Sequence, residues 1–208
     1  MLTRQPWKNP KLFLVFAIAF LALLVVSGCK PGNPAPASKP TGPLVLVVGG
    51  LGGDQTPELQ SRLVAEFPAA SVVGFGPNDG WKADLAGYAA RSLFDRERLV
   101  LIGHSFGGDR VARDAVLLQK VRLAILLDPV DFDAGQHDIF IPANVQRCIV
   151  YRRTLPGVER MADVHGVFEE RFVAGAGHND VPHNPKVLSE IVALLKESFN
   201  GNADNLPQ

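Results

Sequence analysis

The chain has 208 residues, enough for one domain with a substantial core and too few for two comfortable ones. Hydrophobic residues make up 47% and charged residues 20%, which excludes a disordered chain. With 21 Lys and Arg against 21 Asp and Glu, the balance points to no nucleic acid or other strongly charged partner.

The charge is unevenly placed. Arg4, Lys8 and Lys11 precede an apolar run over 12–26, and the first carboxylate is Asp54. A positive start, an apolar stretch and small residues at its exit form a secretory signal over 1–28. The exit, Val26-Ser27-Gly28-Cys29, resembles the lipobox of bacterial lipoproteins. That resemblance implies cleavage before Cys29 and a diacylglycerol on its thiol, so that lipid holds the protein on a membrane. Lys30 in second place, rather than Asp, implies the outer membrane of a bacterial envelope, facing the periplasm. Residues 29–43, rich in Pro, Ala and Gly, then read as a semi-rigid tether. The other reading is an uncleaved transmembrane anchor, since the run is about as long as the shortest spans. Without its first 28 residues the chain loses three cations and is slightly acidic. Only Cys29 and Cys148 occur, so no disulfide framework is expected. Cys148, within an apolar run, reads as a small buried hydrophobe.

From residue 44 to 200 short apolar runs alternate with helical patterns. Residues 44–48 are uncharged, mostly β-branched and followed by glycines, as in a strand buried on both faces. Over 56–67 the residues Leu59, Leu63, Val64 and Phe67 fall at helical spacing, with Thr56 as cap and Pro57 in the first turn. A strand follows at 71–75 and a helix at 81–94, with Leu85, Ala89 and Leu93 on one side. Residues 99–102 form a third strand and 105–119 a third helix. Strands follow at 122–127, 146–151 and 168–174. A helix over 185–199 closes the domain, with Leu188, Ile191, Val192 and Leu195 on its apolar face. The segment 131–142 lacks periodicity and reads as a surface loop too short for a large lid. The tail 201–208 is polar and frayed. Strands alternating with helices at this spacing predict an α/β domain with a mostly parallel sheet, flanked by helices, with a minimal cap or none.

Between the third strand and third helix lies Gly103-His104-Ser105-Phe106-Gly107-Gly108. A serine at the apex of a tight strand-to-helix turn is held at strained backbone angles, and Gly103 and Gly107 remove side chains that would collide there. Its hydroxyl projects above the sheet, beside a helix N-terminus suited to a developing anion. His104, inside the turn, is expected to point its ring away from the serine. The pattern is short enough to arise by chance, so partners decide its weight.

An acid and a base follow in the chain. Asp128 ends the apolar run 123–127, at the carboxyl end of a strand where open α/β sheets build their sites, and Pro129 stops the ladder. The alternative is a turn aspartate that caps the next loop. Among the five histidines, His137 and His165 lie in polar loops. His178 sits in Gly175-Ala176-Gly177-His178-Asn179-Asp180, whose glycines suit close approach to a serine, and His183 is its competitor. Gly49-Gly50-Leu51-Gly52-Gly53 follows the first strand and lets the main chain approach a substrate carbonyl. The Leu51 or Gly50 amide and that of Phe106 are the oxyanion-hole candidates. This loop lacks both the Lys-Ser/Thr ending of a P-loop and the full dinucleotide spacing. His178, Asp180 and His183 match no zinc pattern, so no metal and no cofactor is expected. Phe75 and Trp81 are either walls of an acyl pocket or ordinary packing.

Residues 99–185 resemble small bacterial α/β-hydrolases related to lipases and thioesterases. The resemblance rests on 103–108, on Leu127-Asp128-Pro129-Val130, on Ile141-Pro142-Ala143-Asn144-Val145 leading to Cys148 and Tyr151, and on His178 with Val181 and Pro185. It implies the α/β-hydrolase fold and a catalytic triad of Ser105, Asp128 and His178. Many members of that superfamily carry the acid after a later strand, so Asp163 is the substitute, with Asp131 and Asp133 nearer but in the loop. The implied activity is hydrolysis of a small carboxylic ester or thioester. The rival reading is a non-catalytic envelope lipoprotein that uses the fold as a binding or scaffold module.

Overall fold

A computed structural model describes residues 42–51, 56–76, 85, 87, 95–131, 138–154 and 162–200. All fall within the compact unit Lys39–Gln208. The signal-like segment, Cys29, residues 30–41 of the tether and the tail lie outside the described residues, and Pro43, expected to end the tether, already opens the first strand. Among the described residues no helix is long and apolar enough to cross a membrane.

Six strands form one sheet in the order β2-β1-β3-β4-β6-β8, every pairing parallel. They are β1 (Pro43–Val48), β2 (Ser71–Phe75), β3 (Asp95–His104), β4 (Leu123–Leu127), β6 (Cys148–Thr154) and β8 (Glu169–Ala174). Two short strands, β5 (Asp138–Phe140) and β7 (Asp163–His165), pair parallel in a separate ribbon. Among the described residues, α1 (Pro57–Glu66), α2 (Phe106–Ala115) and α3 (Pro185–Asn200) are helices, with a 3₁₀ turn at His178–His183.

Strand alternation sorts the apolar runs into two cores, which is why runs such as 44–48 and 123–127 are hydrophobic throughout. One face presents Val45, Val47, Val100, Ile102, Ile125 and Leu127 to Leu59 and Leu63 of α1 and Ile191 and Leu195 of α3. The other presents Leu46, Val48, Leu101, Ala124, Leu126 and Val150 to Val111 and Ala115 of α2, and to Leu85, Ile139 and Val164. Thus helices, with the small ribbon, cover both faces. Cys148 is buried and burial pushes its thiol up to about 12, consistent with a packing role.

Three expectations need correction. The segment 131–142 is not all surface loop: β5 occupies its end, and Ile139 is only 1% exposed. A three-residue strand has one inward position, too few to register as periodicity. The helix expected to reach 119 stops at Ala115, because Asn144 Nδ2 donates to the Ala115 and Leu118 carbonyls while Leu117 and Leu118 tighten into three-residue turns. The strand expected at 146–151 begins at Cys148 and runs on to Thr154. The helix at 81–94 lies almost wholly outside the described residues, where Leu85 and Gly87 are helical.

Candidate active site

The parallel order puts the carboxyl ends of β3 and β4 side by side, with His104 opposite Leu127. Ser105 leaves β3 and Asp128 leaves β4 at the same level. These two are the only non-glycine residues at positive φ among the described residues, 57° for Ser105 and 42° for Asp128. Both conformations are strained for an L-residue and are held by their surroundings. The Ser105 amide donates to the Leu127 carbonyl at 3.1 Å, and its own carbonyl accepts from Gly108 and Val130. A side chain on Gly103 would strike the Gly107 backbone, so the turn can close only with glycine there.

His178 comes from farther away. It follows β8, the edge strand, and must return across the ends of β6 and β4 to reach Ser105. The 3₁₀ turn achieves this by burying Val181 and Pro182, with Val181 in the core shared by Ile102, Leu127 and Tyr151. Asp180 Oδ2 accepts the Gly177 amide at 2.9 Å and tightens the entry. His178 Nε2 then lies 2.9 Å from Ser105 Oγ, and Nδ1 lies 2.6 Å from Asp128 Oδ2. One neutral tautomer satisfies both contacts: Nδ1–H donates to the carboxylate and Nε2 accepts from the hydroxyl.

The other candidates are drawn elsewhere. His183 Nδ1 meets Glu58 Oε2 of α1 at 2.9 Å, on the surface. Asp163 is exposed on β7, and Asp131 meets Arg113 and the Asp138 amide. His165 meets Asp138 at 2.7 Å and stacks on Phe140. His178, Asp180 and His183 therefore face three different partners, and no cluster able to hold a metal occurs among the described residues. Phe75 packs against the core. Asp133, His137 and Trp81 lie outside the described residues.

Gly50 lies against Ser105, since a β-carbon there would sit 2.5 Å from its Cβ and 3.0 Å from its Oγ. Leu51 follows, 45% exposed at the rim, and Phe106 opens α2 on the other side. The loop after β1 and the start of α2 thus flank one hydroxyl.

Two neighbours escaped the sequence reading. Arg153, near the end of β6, places Nε 3.2 Å from Asp128 Oδ2 and donates its amide toward Oδ1 at 3.4 Å. Its signal was hidden because the strand seemed to stop at Tyr151. His104, expected to turn its ring away from the serine, has its Nε2 3.1 Å from the His178 carbonyl oxygen, a contact the sequence did not suggest. The clue was strand alternation: Val100, Ile102 and His104 share the face on which the histidine turn packs.

Fold and site together define an α/β hydrolase architecture, and solved structures agree on the fold. A protein of unknown function from Agrobacterium tumefaciens, provisionally assigned to the alpha/beta hydrolases, superposes with TM-score 0.57 at 12% identity, covering 82% of this chain and 91% of that one. Esterase PE8 gives 0.53 at 16% identity over 78% and 96%. RedJ gives 0.52 at 13% over 78% and 94%. The chain has the α/β-hydrolase fold. No family model matches the sequence, and no curated protein matches it.

Proposed function

We propose that this protein is a serine hydrolase that cleaves carboxylic esters or thioesters through an acyl-enzyme. The observation that carries the reading is the relay Ser105–His178–Asp128, two hydrogen bonds of 2.9 and 2.6 Å on a strained turn. His178 Nε2 takes the hydroxyl proton as Ser105 Oγ attacks the carbonyl carbon, and Asp128 stabilises the imidazolium that forms. The tetrahedral oxyanion is held by the Leu51 and Phe106 amides. Its collapse expels the alcohol or thiol, which receives the proton from His178. Water then repeats the sequence, leaving the free acid and Ser105 restored.

Purified residues 42–208 are incubated with a short 4-nitrophenyl ester and with a fluorophosphonate probe. Wild type should turn over and be labelled, and Ser105→Ala or His178→Ala should lower kcat by about 10⁴-fold or more. Activity that survives both substitutions would remove this mechanism. A wild-type protein that neither turns over nor reacts would favour the binding-module reading.

We also propose that Cys29 carries lipid and tethers the domain to a bacterial outer membrane on its periplasmic side. The lipobox-like exit and the Pro-rich segment after it support this. Metabolic labelling with an alkyne fatty acid should mark the full chain and be lost in Cys29→Ser; labelling that persists would argue for another site.

A further inference from the structure

We propose that His104 is a positioning residue whose imidazole donates from Nε2 to the His178 carbonyl and so sets the catalytic base over Ser105. The inference rests on the hydrolase reading above. His104 is 1% exposed at the end of β3. Its Nε2 is 3.1 Å from the His178 carbonyl oxygen, and the two rings lie 4.8 Å apart at 33°. A carbonyl only accepts, so Nε2 carries the proton. That leaves Nδ1 bare, and Nδ1 is buried with no hydrogen-bond partner.

A leucine would fill this volume without stranding a ring nitrogen, so apolar packing alone does not account for a histidine. What the ring adds is one fixed bond to the backbone of a turn that arrives from the far edge of the sheet. Backbone placement of a base matters because small displacements at a reacting centre carry large rate penalties.

Charge neutrality is part of the device. Three ionisable groups act on His104: His178 and His183 from the 3₁₀ turn and Asp128 from the end of β4, while Glu58 of α1 engages His183. Burial dominates, His178 adds to it, and the imidazole is pushed down to about 4. A charged ring at this distance would oppose the imidazolium that His178 must become. A neutral one does not.

The test uses residues 42–208 labelled with ¹⁵N. Imidazole spectra should show His104 as the Nε2–H tautomer, with no titration from about pH 8 down to about pH 5. His104→Leu should lower kcat for the 4-nitrophenyl ester by about 10- to 100-fold with KM within about twofold. His104→Gln, which keeps an N–H donor, should recover part of the loss. Unchanged kcat in the leucine variant, protonated Nδ1, or titration of His104 near neutral pH would overturn the inference while leaving the hydrolase reading intact. Should the wild type lack all hydrolysis and labelling, the functional reading falls instead. The clamp is then judged on the His178 Nδ1 proton resonance, which should broaden or vanish in His104→Leu; a resonance unchanged in that variant would overturn the clamp.

Discussion

The serine and the histidine of the proposed triad sit on turns of opposite character. The serine turn joins adjacent elements, β3 and α2, and is shaped by its glycines and a strained serine packed against the ends of β1 and β4. The histidine turn follows the edge strand and reaches its place through Val181 and Pro182 in the core, Asp180 at its entry and His104 beneath it. The first is held by sterics within the turn and by the neighbouring ends of β1 and β4, the second by contacts that draw it back from the sheet edge. Such a division means that damage to the serine turn acts on chemistry first, whereas damage to the histidine turn acts on chemistry and stability together.

The largest effect expected from breaking this contrast is at Gly50. Gly50→Val should push a side chain into Ser105 and lower kcat/KM by about 10³-fold, about 4 kcal/mol, while thermal unfolding moves little. A melting temperature that collapses with the activity would show that the loop after β1 is structural instead. Next is acid sensitivity. Because the folded-state pKa of His104 is lowered to about 4, the unfolded chain binds more protons between its ordinary value near 6.5 and that point. Stability is therefore complete above about pH 6.5 and is lost as pH falls toward 4, by up to about 3 kcal/mol. Urea titrations across this window should find the slope flattened in His104→Leu; an identical slope would assign acid loss to other groups.

Smaller effects sharpen the comparison on the histidine side. Val181→Ala should cost about 2 kcal/mol of stability and, through a looser turn, lower kcat as well. A loss of stability with kcat untouched would uncouple the turn from the base. Asp180→Ala removes one acceptor from the Gly177 amide and should cost about 1 kcal/mol or less, with a few-fold lower kcat and an unchanged KM. Hydrogen exchange at Gly177 would report the same opening directly.

Much of this architecture is visible in the residues themselves. Continuous apolar strands, helix patterns and glycine-rich junctions place β1, β2, β4, α1 and α3 within a few residues, because each rests on local periodicity. The serine turn is legible in part: the collision that demands Gly103 arises within the turn, whereas Gly107 is demanded by the Val48 and Gly49 backbone at the end of β1. The β5–β7 ribbon was invisible because three-residue strands carry no period, and the early end of α2 depended on Asn144, contributed from about thirty residues downstream.

By itself the sequence determined the class of fold and singled out one candidate serine and a short set of possible acids and bases. It favoured His178 over His183 for the glycines before it, and Asp128 over Asp163 through the family resemblance alone, because such residue types occur in any polar turn. Tertiary structure sets their neighbours: strand order puts Asp128 beside Ser105, and a buried valine draws the turn back so that His178 faces the serine and His183 faces Glu58. It also brought in Arg153 and His104, whose roles depend on which strand lies next to which. Local sterics act within a few residues and can be read in a chain; the meeting of distant side chains exists only once the sheet has formed.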